Sequence, residues 1–522
     1  MNELPSDELN LPGLEAGPSV PPSSQAARPP LQARVKPVDR SQLIWRTVDV
    51  ENLIAEDHPA RAIWALTGQL DLERFYQPIE AVEGVAGRTP WDPRLLVSIW
   101  VYAYSRGIGS AREIARRCSY DPAFQWLCGL AEINYHTLSD SRVTHDQGLQ
   151  ELFIELLGVL SAEGLVNLER VMHDGTKVRA GAGADSFRRE ERLQAHLEVA
   201  RQQVQAMGDP RADESARQRA ARQRAARERK ERLEQALQEL DKIRQSKSEA
   251  QEKESARVSL SDPTSRIMKE GRGGYGPNYN VQISTDGKNK IIVGVGVSQS
   301  SSDSGELMPA VERVEKNLQK APAQLVSDGG FTNRQNIIES AAKGIDLIGS
   351  FPEHNEQSQG QLKRRGVAPE FYTQAFPYDA PQDCYRCPAG ELLRHSGQEN
   401  RTGVVHHQYR AGAGVCAQCR FKERCCPQNA SKGRSITRAV ECAQVQQFKQ
   451  KMETQEAKAV YRQRGAIAEF PNAWIKEKLG LRQFHVRGLF KARLETLWVC
   501  LTYNVQQWIR LVWRARQMAS VG

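Results

Sequence analysis

Three acidic residues stand in surroundings that suit metal-dependent chemistry. Asp174 and Asp328 each close a short apolar run and are followed by glycine, in HDG at 173–175 and SDGG at 327–330. Both are expected at the C-terminal ends of strands, which are rigid, with the glycine letting the backbone turn away and leave the carboxylate open. Their separation along the chain is large, but neighbouring strands of one sheet would bring them together. Glu469 lies in YRQRGAIAEFPNAWIKEKLG. Pro471 fits only the first turn of a helix, so Glu469 is expected at or just before a helix start, with Glu477 its runner-up on the same helix. Lys476 follows two turns along the same face. Oxygen-only donors select hard cations such as Mg²⁺ or Mn²⁺. Two such ions, about 3.5–4 Å apart, would activate a water or a 3′-hydroxyl and stabilise the leaving oxygen of an in-line phosphoryl displacement. A single aspartate in such a chain is more often a turn or cap residue, so the signal is the constellation.

Cysteines make a second constellation. Six of the ten crowd into residues 384–426, as Cys384-x2-Cys387, Cys416-x2-Cys419 and Cys425-Cys426. Paired CxxC knuckles supply thiolates to a tetrahedral Zn²⁺. The preferred set is Cys387, Cys416, Cys419 and Cys425, with Cys384 the main rival and His406 and His407 as further donors. The plainer alternative is reduced, unliganded thiols. Cys118, Cys128 and Cys500 fall on helical core positions and need no function.

The elements that hold these groups follow from composition and periodicity. The chain has 522 residues, enough for two or three folded units, and Lys plus Arg outnumber Asp plus Glu by 72 to 63. A charge of +9 suits a polyanion such as double-stranded DNA, or an anionic membrane surface. No run of 18 apolar residues exists and the N-terminus lacks a secretory pattern, so the expectation is a soluble, cytoplasmic protein without a membrane role. In that reducing compartment crowded cysteines point to metal rather than disulfides.

Residues 1–43, rich in proline, read as a disordered leader. Residues 44–160 read as a helical N-terminal domain. Asp92-Pro93 starts one helix, Ser110 with Glu113 forms a capping box for the next, and Asp121-Pro122 starts a third. The short helices of SAREIARRCSYDPAFQWLCG suggest a helix-turn-helix unit, with Arg106, Arg112, Arg116 and Arg117 facing phosphates, or else a plain bundle with a basic surface. Residues 161–522 read as a mixed α/β domain. YNVQIST and KIIVGVGVS flank the turn Asp286-Gly287, and the strand AQLVSD, a helix over Arg334–Ala342 and the strand IDLIGS form a parallel pair. Two inserts interrupt this domain. Residues 185–255 form a helical hairpin, with stripes Leu193, Leu197, Val204, Met207 and Leu233, Leu237, Leu240, Ile243 around a turn at Gly208-Asp209-Pro210. Its basic RQRAARQRAARERKER segment reads as a solvated helix face rather than a DNA track. Residues 355–440 form the cysteine-rich insert. The last helix carries Leu494, Leu497, Leu501, Val505, Trp508 and Val512 as a core stripe.

Taken together, these motifs resemble the DDE transposases of bacterial insertion sequences, in the branch with a Tyr-Arg-Glu-Lys signature. DGTKVRA at 174–180 resembles that branch's first-aspartate motif and SDGGFTNRQN at 327–336 its second. Tyr461, Arg464, Glu469 and Lys476 match the signature, RQFHVRGLFKARLETLWVCLTYN resembles the segment that follows, and YSRGIGSAREIARRC with NYHTLSDSR resembles the N-terminal domain. The likeness spans roughly residues 44–512 in the family's order. One departure stands out: four residues separate Arg464 from Glu469, where the signature has three. The resemblance implies an RNase H-like core with Asp174, Asp328 and Glu469 as catalytic, Mg²⁺-binding acids. It implies cleavage of the element's DNA ends and attack of the freed 3′-OH on target DNA. Arg464 and Lys476 would then contact phosphates near the scissile bond, with Tyr461 beside them, and Arg112 and Arg116 would bind DNA upstream. Pairing two ends calls for a homodimer in the synaptic complex. The rival reading is a non-catalytic DNA-binding protein derived from a transposase, with a zinc module.

Overall fold

The computed structural model describes residues 43, 45, 47–80, 89–208, 214–271, 273–351, 354–401, 404–428, 433–440 and 442–521. The leader at 1–43 lies almost wholly outside these residues, as does most of the turn expected at Gly208-Asp209-Pro210. Asp49–Gly522 form one compact unit.

Helices open it: α1 Pro59–Thr67, α2 Pro93–Ser105, α3 Ala111–Arg117, α4 Pro122–Cys128, α5 Tyr135–Thr144 and α6 Asp146–Ala162. Their starts are those the sequence signals. The side chains of Asp92 and Asp121 accept from the backbone of the first turns they precede, with Pro93 and Pro122 in the next positions. Ser110 caps α3 in the same way, but Glu113 does not complete a capping box; its carboxylate pairs with Arg116 and Arg117 instead.

A mixed sheet follows, built from β1 Arg170–Arg179, β2 Arg266–Lys269, β3 Tyr275–Asp286, β4 Ile292–Ser298, β5 Gln324–Ser327 and β6 Asp346–Gly349. β3 lies antiparallel between β1 on one side and β2 and β4 on the other, while β5 and β6 run parallel to β1 beyond it. The path is therefore β2-β3-β1-β5-β6. Between β4 and β5 runs α9 Leu307–Leu318, and between β5 and β6 runs α10 Arg334–Ala342, which makes that parallel pair a strand-helix-strand unit.

A helical pair lies between β1 and β2 in the chain, and a second sheet follows β6. Helices α7 Glu190–Gln205 and α8 Ala216–Gln245 pack on each other through Leu193, Leu197, Leu233, Leu237 and Leu240, an apolar cluster of their own. A five-stranded antiparallel sheet, from β7 Tyr378–Asp379, β8 Cys384–Arg386, β9 Leu392–Arg401 and β10 Val404–Arg410 to β11 Ser435–Val440, carries the cysteines. Helices α11 Ala443–Glu453, α12 Gln455–Arg462, α13 Phe470–Glu477 and α14 Leu489–Trp508 follow, and the helical path continues through Ile509–Trp513 and Arg514–Val521.

One hydrophobic cluster runs from Ala60 in α1 to Val512, with the whole core stripe of the last helix inside it. α14 is buried on nearly every face, because the opening helices cover one side and β4 the other. Even Glu495 is fully buried there. Its carboxylate accepts from the His485 backbone N–H at 3.0 Å, meets the His485 ring at 2.8 Å and lies 3.8 Å from Arg142. Arg142 also donates to the Gly109 carbonyl at 2.7 Å. Two distant motifs, NYHTLSDSR and RQFHVRGLFKARLE, thus meet at one buried ion cluster, where removal of either partner would strand a charge.

Candidate active site

Asp174 does not end its strand. β1 pairs with β3 as far as Arg179, whereas its pairing with β5 stops at Met172 opposite Val326. Asp174 therefore sits mid-strand, at the point where β1 loses its parallel neighbour, and an open edge rather than a strand end exposes it. Asp328 directly follows β5 as expected. Continuing the register by two residues from Met172 and Val326 sets Asp174 opposite Asp328. Asp328 is fixed by a turn: its Oδ1 accepts from the Gly330 N–H at 2.8 Å, and its carbonyl accepts from the Thr332 hydroxyl at 2.9 Å.

Gly175 has a different role from the one expected. It is not a turn residue, since it pairs with Gln282 inside the sheet. A Cβ there would stand 2.7 Å from the Gln282 side-chain nitrogen and 2.8 Å from Asp303 Oδ1. Alternation along β1 puts His173, Gly175 and Lys177 on one face and Asp174 and Thr176 on the other. On the first face Asp303 accepts from Asn280 at 2.6 Å, Gln282 at 2.9 Å and Lys177 at 3.3 Å. His173 there is fully buried, hydrogen-bonded to Ser284 and Gln282, and edge-on to Phe331. Burial pushes its imidazole down to about 3, so the ring is neutral. Asn333 and Asn336, which follow Asp328, both donate to the Ser304 carbonyl and so fasten the Asp303 loop to the second motif. This network was missed from sequence. Its signal was the polar alternation Asn280, Gln282, Ser284 within a strand whose other positions are Val281 and Ile283.

Across β1, the residues between α12 and α13 wind as a π-helical turn over Gly465–Glu469. A π turn bonds five residues back instead of four and absorbs one extra residue without breaking the helix. The additional residue between Arg464 and Glu469 is taken up here, and the two side chains still meet, with Arg464 Nη2 donating to Glu469 Oε1 at 3.1 Å. The other guanidinium nitrogen lies 3.7 Å from Asp174 Oδ1. Glu469 is also the N-cap position of α13, with Pro471 in its first turn. Asn472 donates to Asp174 Oδ2 at 3.0 Å, and Lys476 donates to Thr176 on β1.

Burial pushes the Asp174 carboxyl up to about 6; Arg464 and the Asn472 hydrogen bond oppose this, and the Asp328 charge adds to it. Lys476 is held below its ordinary value, chiefly by burial. The Asp174 side chain is 14% exposed and that of Glu469 58%. Beneath them Tyr461 packs with Met172, Val326, Ile348 and Val460, so its ring belongs to the apolar floor. Glu477 pairs with Arg482 on the surface. Arg112 and Arg116 stand on α3, Arg112 over the Tyr135 ring and Arg116 paired with Glu113, with no contact to the acids.

In the insert, Cys387, Cys416, Cys419, Cys425 and Cys426 line one small cavity of about 30 Å³, together with Phe371, Phe421 and Arg434. The Cys416 and Cys419 sulfurs accept backbone N–H groups of Arg434 at 3.3 Å and Phe421 at 3.4 Å. Cys384, His406 and His407 do not line it; Cys384 lies buried on β8. Among the described residues no group of three His, Cys, Asp or Glu side chains stands close enough to hold a metal ion. Nor is any helix among them long and apolar enough to cross a membrane.

Residues 386–509 match the transposase DDE domain, and residues 48–143 match a transposase domain known as DUF772. The first match contains Arg464, Glu469, Asn472 and Lys476 but neither aspartate. No curated protein is matched by the sequence. Among solved structures, the piggyBac transposase synaptic complex with hairpin DNA aligns over 88% of this chain and 73% of its own, at 9% identity and a TM-score of 0.30. A likeness of that depth carries no structural argument.

Proposed function

We propose that this chain, a member of the DDE-type transposases by its two domain matches, cleaves the DNA ends of an insertion sequence and joins the freed 3′-OH to target DNA. The observation that carries the reading is Arg464, whose guanidinium lies 3.1 Å from Glu469 and 3.7 Å from Asp174, with the Asp328 charge near enough to Asp174 to push its carboxyl up. The strand order β4-β3-β1-β5-β6, with the last two parallel to β1, supports an RNase H-like core.

Asp174, Asp328 and Glu469 would hold the divalent ions, Mg²⁺ or Mn²⁺. The donor chemistry fits, being all oxygen, with one carboxylate, Asp174, that burial and the Asp328 charge disfavour in its charged form. Such ions supply Lewis acidity to an in-line phosphoryl displacement. The chain's own groups do the rest. Arg464, poised between two carboxylates, offers a planar fork to a phosphate, and Lys476 a point charge beside it. The basic excess attracts double-stranded DNA, and two chains pair two ends in the synapse. Asp174→Asn and Asp328→Asn are expected to abolish Mg²⁺-dependent cutting of a duplex bearing the element's end while leaving its binding intact. Full cleavage by both variants would refute the assignment. Binding without any nicking by the wild type would favour a non-catalytic derivative.

In the insert, a structural Zn²⁺ held by Cys387, Cys416, Cys419 and Cys425 would draw together thiols that line one cavity but stand too far apart as a group to hold it here, and would have to overcome the burial that pushes the Cys425 thiol up to about 12; the N–H bonds to Cys416 and Cys419 favour their thiolates. Metal analysis of the purified chain should find about one zinc per chain. A content near zero would remove it.

A further inference from the structure

Asn472 has an unusual hydrogen-bond balance. The residue is 7% exposed, and its Nδ2 donates to Asp174 Oδ2 at 3.0 Å and reaches the Ala468 carbonyl at 3.4 Å. Its Oδ1 is buried without a partner. Such an orphaned oxygen destabilises the fold, a penalty a leucine of similar size would avoid. The amide cannot relieve it by flipping, because that would set Oδ1 against a carboxylate oxygen. Ala468 lies in the π turn that carries Glu469. One amide therefore ties the strand bearing the first acid to the turn bearing the third.

We propose that Asn472 is a positioning residue for the cation-binding carboxylates: it pins one oxygen of Asp174 and the π turn below Glu469, leaving Asp174 Oδ1, which faces Arg464 at 3.7 Å, for the cation. The inference rests on the transposase reading above. Hydrogen-bonded partners of ligating carboxylates fix the ligand's orientation, and their loss typically lowers metal affinity about 10–100-fold. A role confined to packing would instead change stability and leave the affinity of the folded protein alone.

The test titrates Mn²⁺ into the full-length, DNA-free protein and follows free ion by electron paramagnetic resonance, with thermal unfolding recorded in parallel. Asn472→Leu, which keeps volume, and Asn472→Ala, which cannot clash, are compared with wild type and with Asp174→Asn. Both Asn472 variants are expected to stay folded, to bind end DNA, and to bind Mn²⁺ about tenfold or more weakly. If Asp174→Asn loses the ion while the folded Asn472 variants bind within twofold of wild type, the positioning role is overturned and the carboxylate assignment stands. If Asp174→Asn binds Mn²⁺ like wild type, the carboxylate assignment falls and this inference falls with it.

Discussion

The two faces of β1 are one residue apart in sequence and opposite in character. On the face of Asp174 and Thr176, a half-buried carboxylate meets Arg464 only at 3.7 Å, a buried amide oxygen goes unpaired, and Glu469 reaches into solvent. On the face of His173, Gly175 and Lys177, a neutral ring has both nitrogens bonded and Asp303 collects three donors. The first face keeps groups under-compensated, as a site that must accept a cation and a phosphate requires. The second fixes the strand so that the first can stay under-compensated. Stability and activity should therefore separate cleanly between alternating residues.

The largest difference is expected in cutting. Asp174→Asn and Glu469→Gln should lower it about a thousandfold or more, equivalent to ~4 kcal/mol, while Asp303→Asn should lower it less than about tenfold. Equal losses on both faces, measured with one labelled end substrate, would erase the distinction.

Next comes stability against pH in metal-free buffer. The Asp174 carboxyl, raised from 3.8 to about 6, binds its proton more tightly in the folded than in the unfolded chain, so its charge destabilises the fold above pH 6. Asp174→Asn should thus be more stable than wild type at pH 7, by up to about 3 kcal/mol, with the gap closing towards pH 4. His173 acts with the opposite sign. Its pKa falls from 6.5 to about 3, so the unfolded chain takes up the proton first and stability drops on acidification below 6.5. In wild type the two slopes largely cancel between pH 6 and 4; the Asn variant should show the histidine slope of about 1.4 kcal/mol per pH unit uncovered. Parallel denaturant curves for the two proteins across that range would contradict the buried-charge argument.

Smaller again is Gly175→Ala, whose methyl would press on Gln282 and Asp303. It should cost about 1–3 kcal/mol in urea unfolding, whereas Thr176→Ala next to it should cost less than about 1 kcal/mol. Deletion of Ala466 should do least. Removing the extra residue lets the π turn become α-helical with Arg464 and Glu469 still one turn apart, so cutting should stay within about tenfold of wild type. Deletion of Ala473, inside α13, serves as the contrast, because it rotates Lys476 off Thr176.

Local chemistry made much of this legible. Asp-Pro caps, the hairpin at Asp286-Gly287, the strand-helix-strand after Asp328 and the leucine stripes of α7, α8 and α14 were readable because caps, turns and periodicity act over a few residues. The acids were readable as motifs, and the extra residue before Glu469 as a flaw in one. Three things were not readable. Asp174 is mid-strand because β3 pairs with β1 on to Arg179, and open because β5, about 150 residues away in the chain, stops pairing at Met172. Gly175 is small because Asp303, far along the chain, occupies the space above it. Asn472 touches Asp174, 298 positions away, and nothing near it in the chain marks that contact.

What the sequence determined by itself, then, was the kind of chemistry and the segments that carry it, since residue type and short-range propensity are written locally. Which face of β1 would be open and which closed, how a π turn would absorb the extra residue, and which thiols would share a cavity were decided only in the folded chain. Each depends on which strand ends beside which, and that is set by burial of distant side chains against one another, which local spacing does not encode.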